Sequence, residues 1–259
     1  RYPTSHAIRR RRWTATNSSS RSVPMASGPD QLAPHHASDM GAALALLPIG
    51  ATFGYYWLPA SFQEQLLVQF VPQLLAYMGL ALWAKRASYI LAQLGLERGK
   101  VRDGLRWGML TGLLLGMMNT FIILAAYPSL GYDISFLKQT PHGRLPTLLM
   151  VPWLICSIAV FVELNFRGFI LGRLTELESR WRTHDSPPWR SPLALLASTC
   201  TFAFDPFLVN TFQHLHWIAL WDGLIWGSIW LRSRNLWITI VAHAVEVMVM
   251  YSAVRTAIG

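Results

Sequence analysis

What most limits the folds open to this chain is a succession of long uncharged apolar runs joined by short basic connectors. A membrane-crossing helix needs about 20 such residues. Runs of that kind cover Gly41 to Ala60, Leu66 to Trp83, Trp107 to Tyr127 and Thr147 to Glu163, the last helix continuing to Leu174. A fifth opens near Leu193 and meets Asp205-Pro206, a shorter sixth covers Trp217 to Leu231, and a seventh covers Leu236 to Val254. The expectation is an all-α fold, a polytopic transmembrane helical bundle of about seven spans (six to eight). The composition agrees: 53% of residues are hydrophobic and only 14% charged, too apolar a balance for an ordinary soluble domain.

The formal charge of +9 raises nucleic acid as a partner, but the Lys and Arg residues sit in loops between apolar runs rather than on one patch. No nucleic acid is expected; the partners are membrane lipids and a peptide or membrane-protein substrate. An inside N-terminus leaves only Lys138, Arg144 and Arg255 of the 22 basic residues outside, so the bias of positive loops towards the cytoplasm sets the orientation. The expected location is an integral membrane protein of a bacterial inner membrane. Cys156 and Cys200 lie inside apolar segments and make no disulfide framework or zinc knuckle.

Residues 1–39 are polar, Arg- and Ser-rich and without apolar periodicity, so a disordered or non-native tail is expected, with Met25 and Met40 as alternative starts. Residues 40–259 form the transmembrane domain. Ala87 to Leu96 reads as an interfacial helix. Gly108, Gly112 and Gly116, four apart, give the third span a smooth face for close helix packing. Pro128 to Pro146 and Thr175 to Pro192 read as loops, and Arg232 to Asn235 as a tight turn.

Against this apolar background the ionisable side chains inside the spans stand out: Glu163, Arg167, Asp205, His214, His216, Asp222, His243 and Glu246. Each is costly against lipid, so together they imply a shared polar cavity. Glu163 and Arg167, four apart, share one helix face. Glu163 lies ten residues before Arg173 and His243 nine after Arg234, which puts both about 15 Å from a cytoplasmic helix end at 1.5 Å per residue. They can meet at one level. A carboxylate with histidines in a dry cavity can activate water directly or through a metal, and spacing does not choose between these. His214 and His216, two apart, diverge on a helix, so they cannot both face inward from a regular segment. Packing alternatives remain for each: an ion-pair role for Arg167, a cap for Asp205 at the Pro206 break, and hydrogen-bonded packing for Asp222 and Glu246.

Glu163-Leu164-Asn165-Phe166-Arg167-Gly168-Phe169-Ile170 resembles the first motif of the CPBP (ABI) intramembrane proteases, the type II CAAX prenyl endopeptidase family. Asp222 to Arg232 and Trp237 to Ala244 resemble its last two helices, and the likeness covers about Trp107 to Val254. The resemblance implies an intramembrane peptidase, with Glu-Glu-x-x-x-Arg, Phe-x-x-x-His and His-x-x-x-Asn motifs around a water or a metal. On this chain it implies Glu163 as base, Arg167 fixing it, and His216 and His243 polarising water or, with Glu163, holding a divalent metal such as zinc; a metal-free site is equally open. Asp205, His214, Asp222 and Glu246 are possible additions. The departures are Val162 in place of the first Glu, Val247 at the Asn position, and an ambiguous middle motif, Phe212-x-x-x-His216 or Phe202-x-x-x-Pro206. A non-catalytic membrane scaffold or chaperone is the alternative from another class, and a proton-coupled transporter a third.

Overall fold

The computed structural model describes residues 42–181 and 190–258. The expected tail of residues 1–39 and the Pro187-Pro188 part of the loop before Pro192 lie outside the described residues. The described chain is helical, without strands. Its main helices are α1 (Leu46–Tyr55), α2 (Leu66–Arg86), α3 (Val101–Phe121), α4 (Thr147–Ser179), α5 (Pro192–Ala203), α6 (Pro206–Phe212), α7 (Ile218–Ser233) and α8 (Leu236–Ile258).

The distribution of side chains is inverted relative to a soluble protein. Leu67 is 78% exposed and Leu148 84%, while Glu163 and Glu246 are fully buried and Arg167 is 2% exposed. Water would favour the reverse; a hydrocarbon surround favours this arrangement. Among the described residues, four helices are long and apolar enough to cross a membrane: α2, the helix Ile90–Ser129 that contains α3, α4 and α8. The pair Pro192–Ala203 and Pro206–Leu215, bent by 49° at the Asp205-Pro206 break, makes five if it counts as one span. The other two runs are short as helices, 10 residues in α1 and 16 in α7. At 1.5 Å per residue, α1 rises only about 15 Å, half of a hydrocarbon core.

The glycine face of the third span packs against α8. A Cβ on Gly108 would lie 2.6 Å from Val241 Cβ, and one on Gly112 would lie 2.5 Å from the Ala242 carbonyl oxygen. Gly104 and Gly116 extend the same contact to Trp237 and Val249. The absence of side chains therefore lets two backbones approach closely, as the fourfold spacing suggested. Gly223 and Gly227 serve likewise for α7 against Thr199 and Leu195 of α5. On the far side of α4, Phe169 fills the space left by Gly79 of α2.

The expected interfacial helix is a five-residue turn, Ile90–Leu94, ended by Gly95 at φ +76°. A Cβ there would meet the Arg234 carbonyl oxygen at 2.2 Å. Lys100 Nζ donates to the same carbonyl at 3.1 Å, and Asn235 Nδ2 donates to the Lys100 carbonyl at 3.0 Å. These bonds pin the α7–α8 turn to the start of α3, so the two helices enter the bundle in fixed register with it.

Candidate active site

The site begins in α4, whose backbone opens to i→i+5 hydrogen bonding over Leu164–Leu171. Such widened turns recur at functional sites. Residues Asn165 to Leu171 are all buried. Arg167 Nη1 donates to Glu163 Oε1 at 3.1 Å, and its guanidinium lies over the rings of Phe202, at 4.4 Å, and Trp226, at 5.0 Å. An ion pair and two aromatic faces offset the cost of burying this cation.

His243 of α8 completes the group. Its Nδ1 lies 3.0 Å from the same Glu163 Oε1, so the level match read from the sequence is met by a contact. In the neutral tautomer with its proton on Nδ1, facing the carboxylate, the ring keeps a lone pair on Nε2. The ring stacks on Trp226, with centroids 4.7 Å apart. Asp222, one turn before Trp226 on α7, and Glu246, one turn after His243 on α8, form the adjoining patch. Their carboxyls share one amide donor. Asn119 Nδ2 donates to Glu246 Oε1 at 2.6 Å and lies 3.3 Å from Asp222 Oδ1, while Trp221 Nε1 donates to Asn119 Oδ1 at 3.0 Å.

A cavity of about 470 Å³ opens beside this wall. Asp222, Trp226, His243 and Glu246 line it, as do Asp205 and His216 from the bent pair. Val162, Val247 and Phe166 line it too; Glu163 and Arg167 do not. Glu163 therefore reaches the cavity through His243.

The remaining candidates divide. Asp205 caps α6, accepting from Leu208 N at 3.2 Å and from Gln73 Nε2 at 3.0 Å, and keeps Oδ2 without a partner. The short 3-10 turn Gln213–Leu215, with Gln213 at φ +47°, sends the two neighbouring histidines to different places. His216 faces the cavity, with its Nδ1 on the Gln213 carbonyl and its ring 5.8 Å from Phe204. His214 is packed among Tyr127, Tyr132 and Phe136, each about 5 Å away, and does not line the cavity. Among the described residues no three His, Cys, Asp or Glu side chains form a group that could hold a metal ion, so the donor set does not fit a divalent centre.

Three contributors escaped the sequence reading: Asn119, Gln73 and His142. Asn119 is the fully buried amide that joins both carboxyls, and its only signal is a polar side chain three residues after Gly116. His142 lines the cavity from the loop before α4, where burial alone holds its imidazole below the usual histidine range. Tyr56, just past α1, has its hydroxyl pushed up to about 12 by burial and then by the Asp205 charge.

Residues 144–249 match the family model Rce1-like, described as type II CAAX prenyl endopeptidase Rce1-like. That segment, about two fifths of the chain, holds α4 to α7, the first part of α8 and all eight ionisable candidates. No curated protein and no solved structure matches the chain. The likeness first carried by the Glu163–Ile170 and Asp222–Ala244 motifs is thus found over the helices that build the cavity. Together, the apolar helices and this likeness point to an integral membrane protein that is similar, over that segment, to the type II CAAX prenyl endopeptidases.

Proposed function

We propose that the protein is an intramembrane endopeptidase in which His243 takes a proton from water while buried Glu163 orients it and balances its charge. The observation that carries this reading is the two-ended contact of His243: Nδ1 is bonded to Glu163, and the ring forms part of the cavity wall. A carboxylate behind a histidine fixes the tautomer and stabilises the imidazolium that forms on proton uptake. Arg167 holds Glu163 ionised and in place. His216, on the same cavity, polarises the scissile carbonyl or the water. The wall is mostly apolar, which suits a peptide carrying a lipid, and the family description supplies the class: a peptide ending in a prenylated CAAX sequence. The enzyme would sit in a bacterial inner membrane, N-terminus inside, and cut near the cytoplasmic face.

The test is cleavage of a fluorogenic farnesylated CAAX peptide by the purified protein in proteoliposomes. Cleavage that falls at least about 100-fold in both His243→Ala and Glu163→Gln supports the reading, since general base catalysis contributes about 10²–10⁴. Undiminished cleavage by both variants overturns it. One observation favours a second reading, binding without hydrolysis: Val162 and Val247 put apolar surface on the cavity where the family motifs have Glu and Asn. On that reading the wild-type protein binds the peptide and releases no product.

A further inference from the structure

The hydrolysis needs a second proton-handling group, because an amide nitrogen leaves as an amine only after it has been protonated. One wall of the cavity carries such a group outside the Glu163–His243 pair. Asp222 and Trp226 are one turn apart on α7, His243 and Glu246 one turn apart on α8. Trp226 stacks on His243, and Asn119 Nδ2 bridges Asp222 and Glu246, so the four side chains form one continuous patch. All four line the cavity.

Two buried carboxyls that share one amide donor repel each other when both are ionised, so a proton held between them relieves the pair. Asn119 donates to both groups, while the nearby cation, Arg167, is already paired with Glu163. A second feature points to a bound molecule. Trp226 is 2% exposed and its Nε1 hydrogen has no acceptor, although it stands on the cavity wall between the two pairs. Glu246 Oε2 is likewise buried without a partner. A donor and an acceptor, both buried and unmet on residues that line one cavity, suit the carbonyl and the N–H of a peptide group.

We infer that Asp222 and Glu246 form a proton-sharing carboxyl pair that protonates the leaving amide nitrogen, with the Trp226 indole N–H binding the scissile carbonyl oxygen. The inference rests on the peptidase reading above. His243 Nε2 removes a proton from water as the water oxygen forms a bond to the carbonyl carbon. The carboxyl pair gives its proton to the amide nitrogen, and the C–N bond breaks with its electrons on nitrogen. The proton held by His243 then returns to Glu246, one turn along α8. The products are an acid and an amine, and every group recovers its starting state.

Two measurements on the full-length protein in proteoliposomes test this. Dicyclohexylcarbodiimide, a membrane-soluble reagent that needs a protonated carboxyl, forms an adduct on Asp222 or Glu246 of the wild-type protein at neutral pH, mapped by mass spectrometry. Absence of an adduct on both overturns the shared proton without any variant being made. Asp222→Asn and Glu246→Gln keep shape and are compared on a farnesylated peptide and on its thioester analogue, whose thiolate leaves without a proton. The amide substrate loses at least about 100-fold, the range of general acid catalysis, and the thioester less than tenfold. Equal losses on both substrates overturn the acid role. His243→Ala loses both substrates alike. A wild-type protein that cleaves neither substrate sinks the peptidase reading and the acid role with it, while the adduct still reports the shared proton.

Discussion

The bundle contains two polar clusters that touch yet differ in kind. Around Glu163 opposite charges meet: a carboxylate, a guanidinium and a histidine converge on one oxygen, and of the three only the histidine lines the cavity. Around Glu246, two carboxyls share one amide donor and open onto the cavity. The first cluster resembles a mechanical joint, tying α4 to α8 where Arg167 also rests on α5 and α7 through Phe202 and Trp226. The second belongs to residues that line the cavity, two carboxyls with no cation in contact among the described residues. The comparison teaches that the recognisable motif, Glu163 to Gly168, fixes geometry, while the groups that can meet a substrate come from α7 and α8.

If that division is right, breaking the closed cluster costs stability first. Glu163→Ala leaves Arg167 charged and unpaired in the interior, a loss of about 3–5 kcal/mol. Arg167→Met strands the carboxylate at a similar cost. The double variant, with both charges gone, should recover most of the loss. A double-mutant cycle of thermal unfolding in detergent measures this, and additive losses would show that the two groups do not act as a unit. In the open cluster the penalty is smaller. Asn119→Ala removes one donor from two carboxyls that can turn to cavity water, so the expected cost is about 1–3 kcal/mol. A cost as large as that of Glu163→Ala would erase the distinction between the clusters.

The same contrast explains what could be read from the sequence. The meeting of Glu163 and His243 was legible because helix rise is fixed and both residues could be counted from basic turns. The glycine face was legible as a face, but spacing does not name a partner helix, and only the structure pairs it with α8. Asn119 was hidden because a neutral amide costs far less in an apolar run than a charge. Its partners, moreover, lie 103 and 127 residues away. The Asp205-Pro206 break was visible; the 3-10 turn at Gln213 that parts His214 from His216 was not, since nothing in Phe-Gln-His-Leu demands a positive φ at the glutamine. Hydropathy likewise counted residues in the first run rather than helical turns, and α1 ends at Tyr55, before Pro59.

His142 carries the comparison to its smallest expected effect. It borders the same cavity and lies outside the spans, and its Nδ1 is buried without a hydrogen bond. Burial disfavours the imidazolium, so the folded protein binds the His142 proton more weakly than the unfolded chain does, whose histidine titrates near 6.5. Above that pH both states are neutral and the residue contributes no pH dependence. As pH falls below 6.5 the unfolded state takes up the proton first, and stability is lost until the folded-state histidine also titrates. His142→Phe removes this slope while keeping a ring against Phe212, whose centroid lies 5.5 Å from that of His142. Unfolding temperatures of wild type and variant should therefore coincide at pH 8 apart from a constant offset and diverge at pH 5, with the wild type falling further. Parallel curves across that range would mean that His142 is solvated when charged, and that the cavity admits water as readily at its mouth as the open cluster requires at its floor.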